Sequence, residues 1–301
     1  MFVPAAGERA DELVPRAIEW KPDLVVHEIS ELAGAIAAAH IGARHVVHSL
    51  GQTPPGVWEL FAPGLAALSR RWDVPELPGR LLEQTYVDLC PPSLQPGGPA
   101  DVGRVRPAPP RPPAGEVVPG ERLPGTARCS RRCRTPTPSP DPRDDFHETP
   151  GVFEAALAGL RELPVNVVLT LGPGADPRRF GPQPPHVLIA DYVSQALLLP
   201  LCSLVVSHGG AGSIHGALCH GLPQLILPQG ADNFLGAAAC ERAGVAVALQ
   251  PGELTPDAVA AAVRRLLTEP AFGTAARTIQ AEIATMPDAD AVLAALTAED
   301  R

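Results

Sequence analysis

Apolar positions change period several times along the chain, and the changes mark its elements. From Glu8 to Trp20 they recur at helical spacing, with Leu13, Val14, Ala17 and Ile18 on one side. Pro22-Asp23 breaks that pattern, and Leu24-Val25-Val26-His27-Glu28 reads as a short buried strand ending in polar groups. Glu31 to His40 is Ala-rich and helical, closed by Gly42. His45-Val46-Val47-His48-Ser49 is a second strand, running into the loop from Gly51 to Pro55. A helix is predicted over Gly56 to Arg71, and a last piece over Leu81 to Cys90 stops at Pro91-Pro92. Strand–helix–strand alternation of this kind suits a parallel sheet.

The pattern then fails. From Gln95 to about Phe146 Pro, Gly and Arg crowd together, periodicity disappears, and no apolar run is long enough to predict a strand. The segment reads as an irregular linker.

Order returns in the last half. Thr149 and Pro150 fit the cap and first turn of a helix whose apolar face is Phe153, Ala156, Leu157 and Leu160. Val165 to Leu171 and His186 to Ile189 are predicted strands, and Leu197 to Pro200 a short helix. The apolar run Leu201 to Val206 leads into Ser207-His208-Gly209-Gly210-Ala211-Gly212-Ser213 and an Ala/Leu-rich helix containing His215 and His220. A strand over Gln224 to Leu227 ends in Pro228-Gln229-Gly230-Ala231-Asp232-Asn233. A helix from Phe234, a strand over Val245 to Leu249, a Thr255-capped helix to Leu267 and a helical tail broken at Met286-Pro287 complete the chain.

Buried strand, glycine turn and helix start, in that order, make an anion cradle. Amide N–H groups and the positive end of the helix dipole converge where a phosphate can sit, and a Cβ on the turn would hold the phosphate away. His208 adds a donor and Ser213 a hydroxyl. On spacing alone the glycines fit a tight turn equally well. The polar groups at the end of the next strand weigh for the cradle, because ligands bind at that edge of open α/β sheets.

The run from Tyr192-Val193-Ser194-Gln195 through His208–Ser213 to Pro228–Asn233 resembles the donor signature of nucleotide-sugar glycosyltransferases of the GT-B fold, of the actinobacterial antibiotic and macrolide type. Ser194 stands where that family usually has proline, and Asn233 where it usually has glutamine. The resemblance implies an α/β protein of two Rossmann-like domains. Residues 1–94 would be a partial acceptor-side domain, 95–146 a linker and 147–301 the donor-binding domain. His208, Gly209, Gly210, Gly212 and Ser213 would hold the donor diphosphate. Tyr192, Val193 and Gln195 would hold the nucleotide base, and Gln229, Asp232 and Asn233 the sugar.

The reaction implied is inverting transfer from a UDP- or dTDP-sugar to a hydroxyl of a small natural product, with no metal and no other cofactor. The alternative is a non-catalytic remnant that only binds nucleotide sugar. "PDLVVHE" and "HSLG" have counterparts in the family's acceptor-side domain, so His27, Glu28, His48 and Ser49 either line an acceptor cleft or cap strand ends. The family's opening segment, with its general-base histidine, has no counterpart, so the N-terminal domain is expected to be incomplete and no catalytic residue is assigned. The family's first donor-domain strand also lacks a counterpart. Arg/Pro/Cys/Thr-rich sequence stands in its place, and residues from Glu121 to Asp145 are expected to be frame-shifted translation.

Composition changes this picture little. A net charge of −9 gives no reason to expect a nucleic-acid partner. No run approaches the ~18 apolar residues of a membrane span, and no signal-peptide core opens the chain, so a cytoplasmic protein is expected. Lys21 is the only lysine among arginines, as in high-GC coding sequence. Of six cysteines, Cys202, Cys219 and Cys240 sit in apolar surroundings and read as reduced core residues. Cys129 and Cys133 lack the partners a zinc site needs.

Overall fold

A computed structural model describes residues 2–49, 51–52, 57–80, 85–95, 102–104, 128–132, 151–171, 176–190 and 193–298. The chain divides into two compact units, Met1–Arg106 with Pro287–Arg301, and Pro107–Met286.

The first unit opens with α1 (Phe2–Trp20), which begins earlier than its spacing predicts and contains Pro15. β1 (Leu24–Glu28) leads to α2 (Leu32–Ile41), whose start is capped by the Glu31 carboxylate and whose end turns at left-handed Gly42. β2 (Arg44–Ser49), α3 (Val57–Arg71), the single turn α4 (Leu77–Arg80), β3 (Thr85–Asp88) and β4 (Val102–Arg104) follow. The four strands pair in parallel in the order β1-β2-β3-β4. Ala6, Ala10, Val14 and Ala17 of α1 pack with Leu32, Ala33 and Ile36 of α2 and with Phe61 and Leu65 of α3. The small residues along α1 and α2 let the helices approach closely.

The second unit holds β5 (Arg128–Arg132), α5 (Val152–Leu160), β6 (Asn166–Thr170), β7 (Val187–Ala190), α6 (Gln195–Leu198), β8 (Leu204–Ser207), α7 (Ala211–Cys219) and β9 (Gln224–Ile226). It continues with α8 (Asn233–Arg242), β10 (Ala246–Ala248), α9 (Pro256–Thr268) and α10 (Pro270–Thr285). α5 starts later than the Thr149 cap predicts, with Gly151 as its N-cap, and Thr149 and Pro150 lie outside the described residues. Thr255 does cap α9, its Oγ1 accepting from the Ala258 N–H at 3.1 Å.

The sheet is parallel in the order β10-β9-β8-β5-β6-β7. Chain order runs outward from β5 through β6 to β7, then returns to the other side of β5 with β8. The point of reversal lies between β5 and β8, where a doubly wound sheet opens a ligand crevice at the strands' C-terminal ends. Leu204 and Val206 of β8 join Val167 and Leu169 of β6 and Val259 and Val263 of α9 in one core, while Val205 packs on the other face with Leu199, Ala217 and Leu222. Both faces are covered, so β8 and β9 are buried along their whole length.

Two sequence expectations are corrected here. The segment expected to contain no strand contributes two: β4 extends the first sheet and β5 fills the centre of the second. Arg128–Arg132 pairs in parallel with Asn166–Thr170, and Cys129–Arg132 with Leu204–Ser207. The cause is the slot. β6 and β8 each present a row of buried N–H and C=O groups that need partners, and backbone pairing satisfies them whatever the side chains. The remainder of the proposed frame-shifted stretch lies outside the described residues. The other correction concerns the tail. α11 (Ala289–Ala298) belongs to the first unit, where Leu296 and Val292 pack with Val46 and Val87, although its sequence was expected to belong with the donor domain.

A parallel strand covered on both faces reads as a near-continuous apolar run, and Arg-Cys-Ser-Arg-Arg does not. Exchanging Arg128–Arg132 for a five-residue Val/Ile/Thr sequence raises the urea midpoint of the full chain, the unfolding free energy growing by about 1.5–3 kcal/mol for each apolar side chain that becomes buried. An unchanged midpoint would mean that β5 does not hold this place in solution.

Candidate functional site

β8 delivers Ser207 to the point of reversal, and the chain turns there through His208, Gly209 and Gly210 into α7. Gly209 has φ +84, a left-handed backbone, and a Cβ built on it would lie 2.5 Å from Ile226 Cγ2 and 3.4 Å from the Asn233 carbonyl. Glycine is therefore required twice, for the turn and for the close approach that brings the end of β9 and the start of α8 against it. A Cβ on Gly210 would meet His208 Nε2 at 2.5 Å, so the imidazole lies against the bare backbone of Gly210. Gly212 differs. It is exposed, and a Cβ there would meet nothing within 4 Å.

The amides at this turn separate into two groups. The Gly209 N–H donates to Ser207 Oγ at 3.2 Å, and the Ser213 and Ile214 N–H groups donate to the Gly210 carbonyl at 2.8 and 3.1 Å. Ala211 and Gly212 occupy the first two helical positions, where helix geometry supplies no acceptor, and the N-cap residue, Gly210, makes no side-chain capping bond. Of the amides expected to face a diphosphate, Gly209 and Ser213 thus have acceptors within the chain. Ala211, whose N–H leaves no mark on residue type, stands beside Gly212 in the first turn of α7.

α7 is held at its other end and along its flank. Gln280 of α10 donates from Nε2 to the Cys219 carbonyl at 3.0 Å, and Gln224 at the start of β9 donates to the Ile214 carbonyl at 3.4 Å. His220 is the C-cap residue and His215 lies in the core, so neither of the two helix histidines reaches the cradle.

The second expected cluster lies at the end of β9. Gln229 turns its amide back on the Leu227 and Pro228 carbonyls at 2.9 and 3.1 Å, which braces the loop. Ala231, at the tip, has φ +50, a strained conformation for a residue with a Cβ. Asp232 is exposed at the N-cap of α8 without a capping bond, and Asn233 is buried with Nδ2 at 3.5 Å from Asp232 Oδ1. In the third cluster Tyr192 lies outside the described residues. Val193 is half-buried, and Gln195 is buried at the start of α6 with Oε1 toward Gly216 of α7. Ser194 has φ −58, inside the range a proline ring imposes, so the backbone takes the same path there as a proline would give.

Among the described residues no group of three or more His, Cys, Asp or Glu side chains could hold a metal ion, and no helix is long and apolar enough to cross a membrane. Cys90, Cys202, Cys219 and Cys240 form no disulfide. Burial pushes the Cys240 thiol up to about 12, as an inert core cysteine requires, whereas Cys202 and Cys219 are half-buried.

Burial in the apolar interior lowers the His215 imidazole from 6.5 to about 4, and among the described residues its Nε2 has no hydrogen-bond partner. The unfolded chain takes up a proton that the folded core refuses. The stability tied to this group is therefore complete above pH 6.5 and is lost as pH falls from there to about 4. That loss amounts to ~3 kcal/mol. His215→Leu flattens the unfolding free energy from urea titrations against pH over this window by about that amount. An unchanged slope would place the imidazole in contact with water.

The family model described as the C-terminal domain of erythromycin biosynthesis protein CIII-like proteins matches residues 154–298, and its N-terminal counterpart matches residues 2–109. The chain is 32% identical to the L-demethylnoviosyl transferase of Streptomyces niveus over 98% of its own length and 76% of that protein. It is also 32% identical to the elloramycin glycosyltransferase ElmGT of Streptomyces olivaceus, over 94% of its own length and 70% of the other. Among solved structures, the glycosyltransferase VinC in complex with dTDP superposes with a TM-score of 0.79 at 25% identity, covering 98% of this chain and 77% of VinC. The spinosyn rhamnosyltransferase SpnG, at 23% identity, gives 0.81 over 98% of this chain and 80% of its own. With two parallel Rossmann-like units and a glycine cradle at the reversal point of the second, the chain belongs to the CIII-like antibiotic glycosyltransferases of the GT-B fold.

Proposed function

We propose that the second unit binds a UDP- or dTDP-sugar with its diphosphate at the start of α7, and that the sugar passes, with inversion and without a metal ion, to a hydroxyl of a small natural-product acceptor. One observation carries this reading. The N-terminus of α7, with Gly210 as its N-cap, opens at the sheet's reversal point beside exposed Gly212, and among the described residues nothing lies within 4 Å of a Cβ built on Gly212. The dTDP of the VinC complex supports the choice of ligand class.

As the anomeric C–O bond breaks, negative charge grows on the diphosphate. Fixed N–H dipoles of Ala211 and Gly212, with the His208 ring beside Gly210, stabilise that charge with little reorganisation. Gly209 and Ser213 shape the turn. Asp232 and Asn233, at the start of α8, reach the sugar hydroxyls, with Gln229 bracing their loop. Val193 and Gln195, with Tyr192, receive the base.

The experiment is thermal unfolding of the full chain with UDP and with dTDP, paired with Gly212→Asp. At the second helical position an aspartate favours the helix dipole and replaces glycine, so the ligand-free protein melts no lower than wild type. The same carboxylate repels a diphosphate and weakens nucleotide binding by about tenfold or more. Wild type gains about 2.7 kcal/mol at a nucleotide concentration 100 times Kd. If neither nucleotide moves the wild-type melting temperature, the donor site is elsewhere. Binding without release of nucleotide from its sugar would identify a protein that only holds the donor.

A further inference from the structure

In the first unit the strand order β1-β2-β3-β4 follows the chain without turning back, so among the described residues β1 stands at an edge of its sheet. A strand edge is a row of N–H and C=O groups that another strand can take up, and folded chains blunt such rows with short length, Lys, Pro or a bulge. The opposite edge, β4, is only three residues, Val-Gly-Arg. β1 is Leu-Val-Val-His-Glu, five residues that pair with β2 in unbroken register and carry none of those devices.

The groups on its free side can be named. The Ile29 N–H donates to the His48 carbonyl at 3.1 Å, so Ile29 turns its backbone toward β2. Backbone direction alternates along a strand, so Val25 and His27 also face β2, while Leu24, Val26 and Glu28 face outward. The Glu28 carbonyl already accepts from the Glu31 N–H at 2.9 Å, which closes the row at that end. Among the described residues no backbone group outside the sheet bonds to Val26, at its centre.

The side chains repeat the pattern. Val26, Val46 and Thr85 form one row across β1, β2 and β3, on the face that α11 covers through Val292 and Leu296. Val46 is fully buried, yet Val26 beside it is 53% exposed. Ile18 and Trp20, in the last turn of α1 just before β1, are 50% and 81% exposed. An apolar row that stops bare at an unblunted edge is a template for another strand.

We propose that β1 pairs antiparallel with β1 of a second copy of this chain, across a two-fold axis at Val26. The occupant is a second copy because the strand is complementary to itself in this register. Val26 of each copy donates to and accepts from Val26 of the other, and each Glu28 N–H donates to the Leu24 carbonyl across the axis. Leu24 stands opposite Glu28 and Val25 opposite His27, so no like charges face each other. The same register brings Lys21 of one copy level with Glu31 of the other, an opposite-charge pair at each end of the seam. The β-branched row Thr85-Val46-Val26 runs on into its own copy. Two four-stranded sheets join into one of eight strands, and the two-fold closes the assembly with neither β1 edge left open. The pairing concerns the first unit alone and is independent of the donor reading above.

Sedimentation equilibrium of the full chain, with hydrogen exchange read at the Val26 amide, tests this. Wild type sediments at twice the mass of the chain at micromolar concentration, and dilution to the monomer removes protection from the Val26 amide. Val26→Lys sets two ammonium groups against each other and weakens association about tenfold or more. Val26→Pro removes an N–H that faces the other copy and none that faces β2, so the monomer keeps its ladder and the dimer is lost. Mixing Val26→Lys with Val26→Glu recovers a dimer with one copy of each, which a misfolded variant cannot do. A folded wild type that stays monomeric up to roughly 100 μM overturns the proposal, as does a dimer that withstands both Val26→Lys and Val26→Pro. A monomer whose Val26 amide is nonetheless protected assigns the edge to residues of the same chain and overturns it too.

Discussion

The structure depends on a helix start left without a side-chain cap. An α-helix begins with amides that have no internal acceptor, and most soluble helices answer with Ser, Thr, Asp or Asn at the N-cap. α7 has Gly210 there, which fills no space and accepts nothing through a side chain. The omission is affordable because a glycine cap is only a few tenths of a kcal/mol worse than the best ones. The helix is instead secured from behind, by Gln280 on the Cys219 carbonyl and by Gln224 on the Ile214 carbonyl. A cradle held at its far end keeps its open end fixed, and fixed dipoles are what a developing anion requires.

The strand order matters for the same reason. A glycine turn after any buried strand would supply N–H groups, but only at the reversal point do neighbouring connections diverge and leave a crevice. β8 is placed at that point because β5 separates it from β6. The position of the glycine turn and the start of α7 thus rests on a strand, Arg128–Arg132, whose composition gives no hint of a central place. Backbone pairing can seat such a strand, since N–H and C=O groups are common to all sequences.

Legibility in the sequence followed this division between local and distant causes. β1, β2, β8 and β9, the cap at Thr255 and the break at Met286 were readable because short apolar runs, capping residues and prolines act within a few positions. Gly209 announced its turn because the residue itself permits the φ. β5 was not readable, because its neighbours in the sheet and not its own residues decide its place. The docking of α11 on the first unit was equally hidden. An Ala/Leu helix shows an apolar face without saying which sheet it covers. At the candidate site, the left-handed turn at Gly209 was legible from residue type, yet which amides of the turn have acceptors within the chain was not, since a backbone donor leaves no mark on residue type. The register that sets Glu28 opposite His48 depends on the length of the α2 crossover and on packing beneath it, and a one-dimensional pattern does not contain it.

The two units differ in the chemistry of the groups they present. The second unit presents backbone amides of Ala211 and Gly212, which do not titrate, at the start of α7. The first unit presents ionisable side chains, Glu28 and His48, in register at its strand ends. Both sheets bring polar groups to the C-terminal ends of parallel strands, the edge at which open α/β sheets bind ligands. They differ in what is placed at that edge. Bare glycine backbone stands in one, and a carboxylate and an imidazole stand in the other.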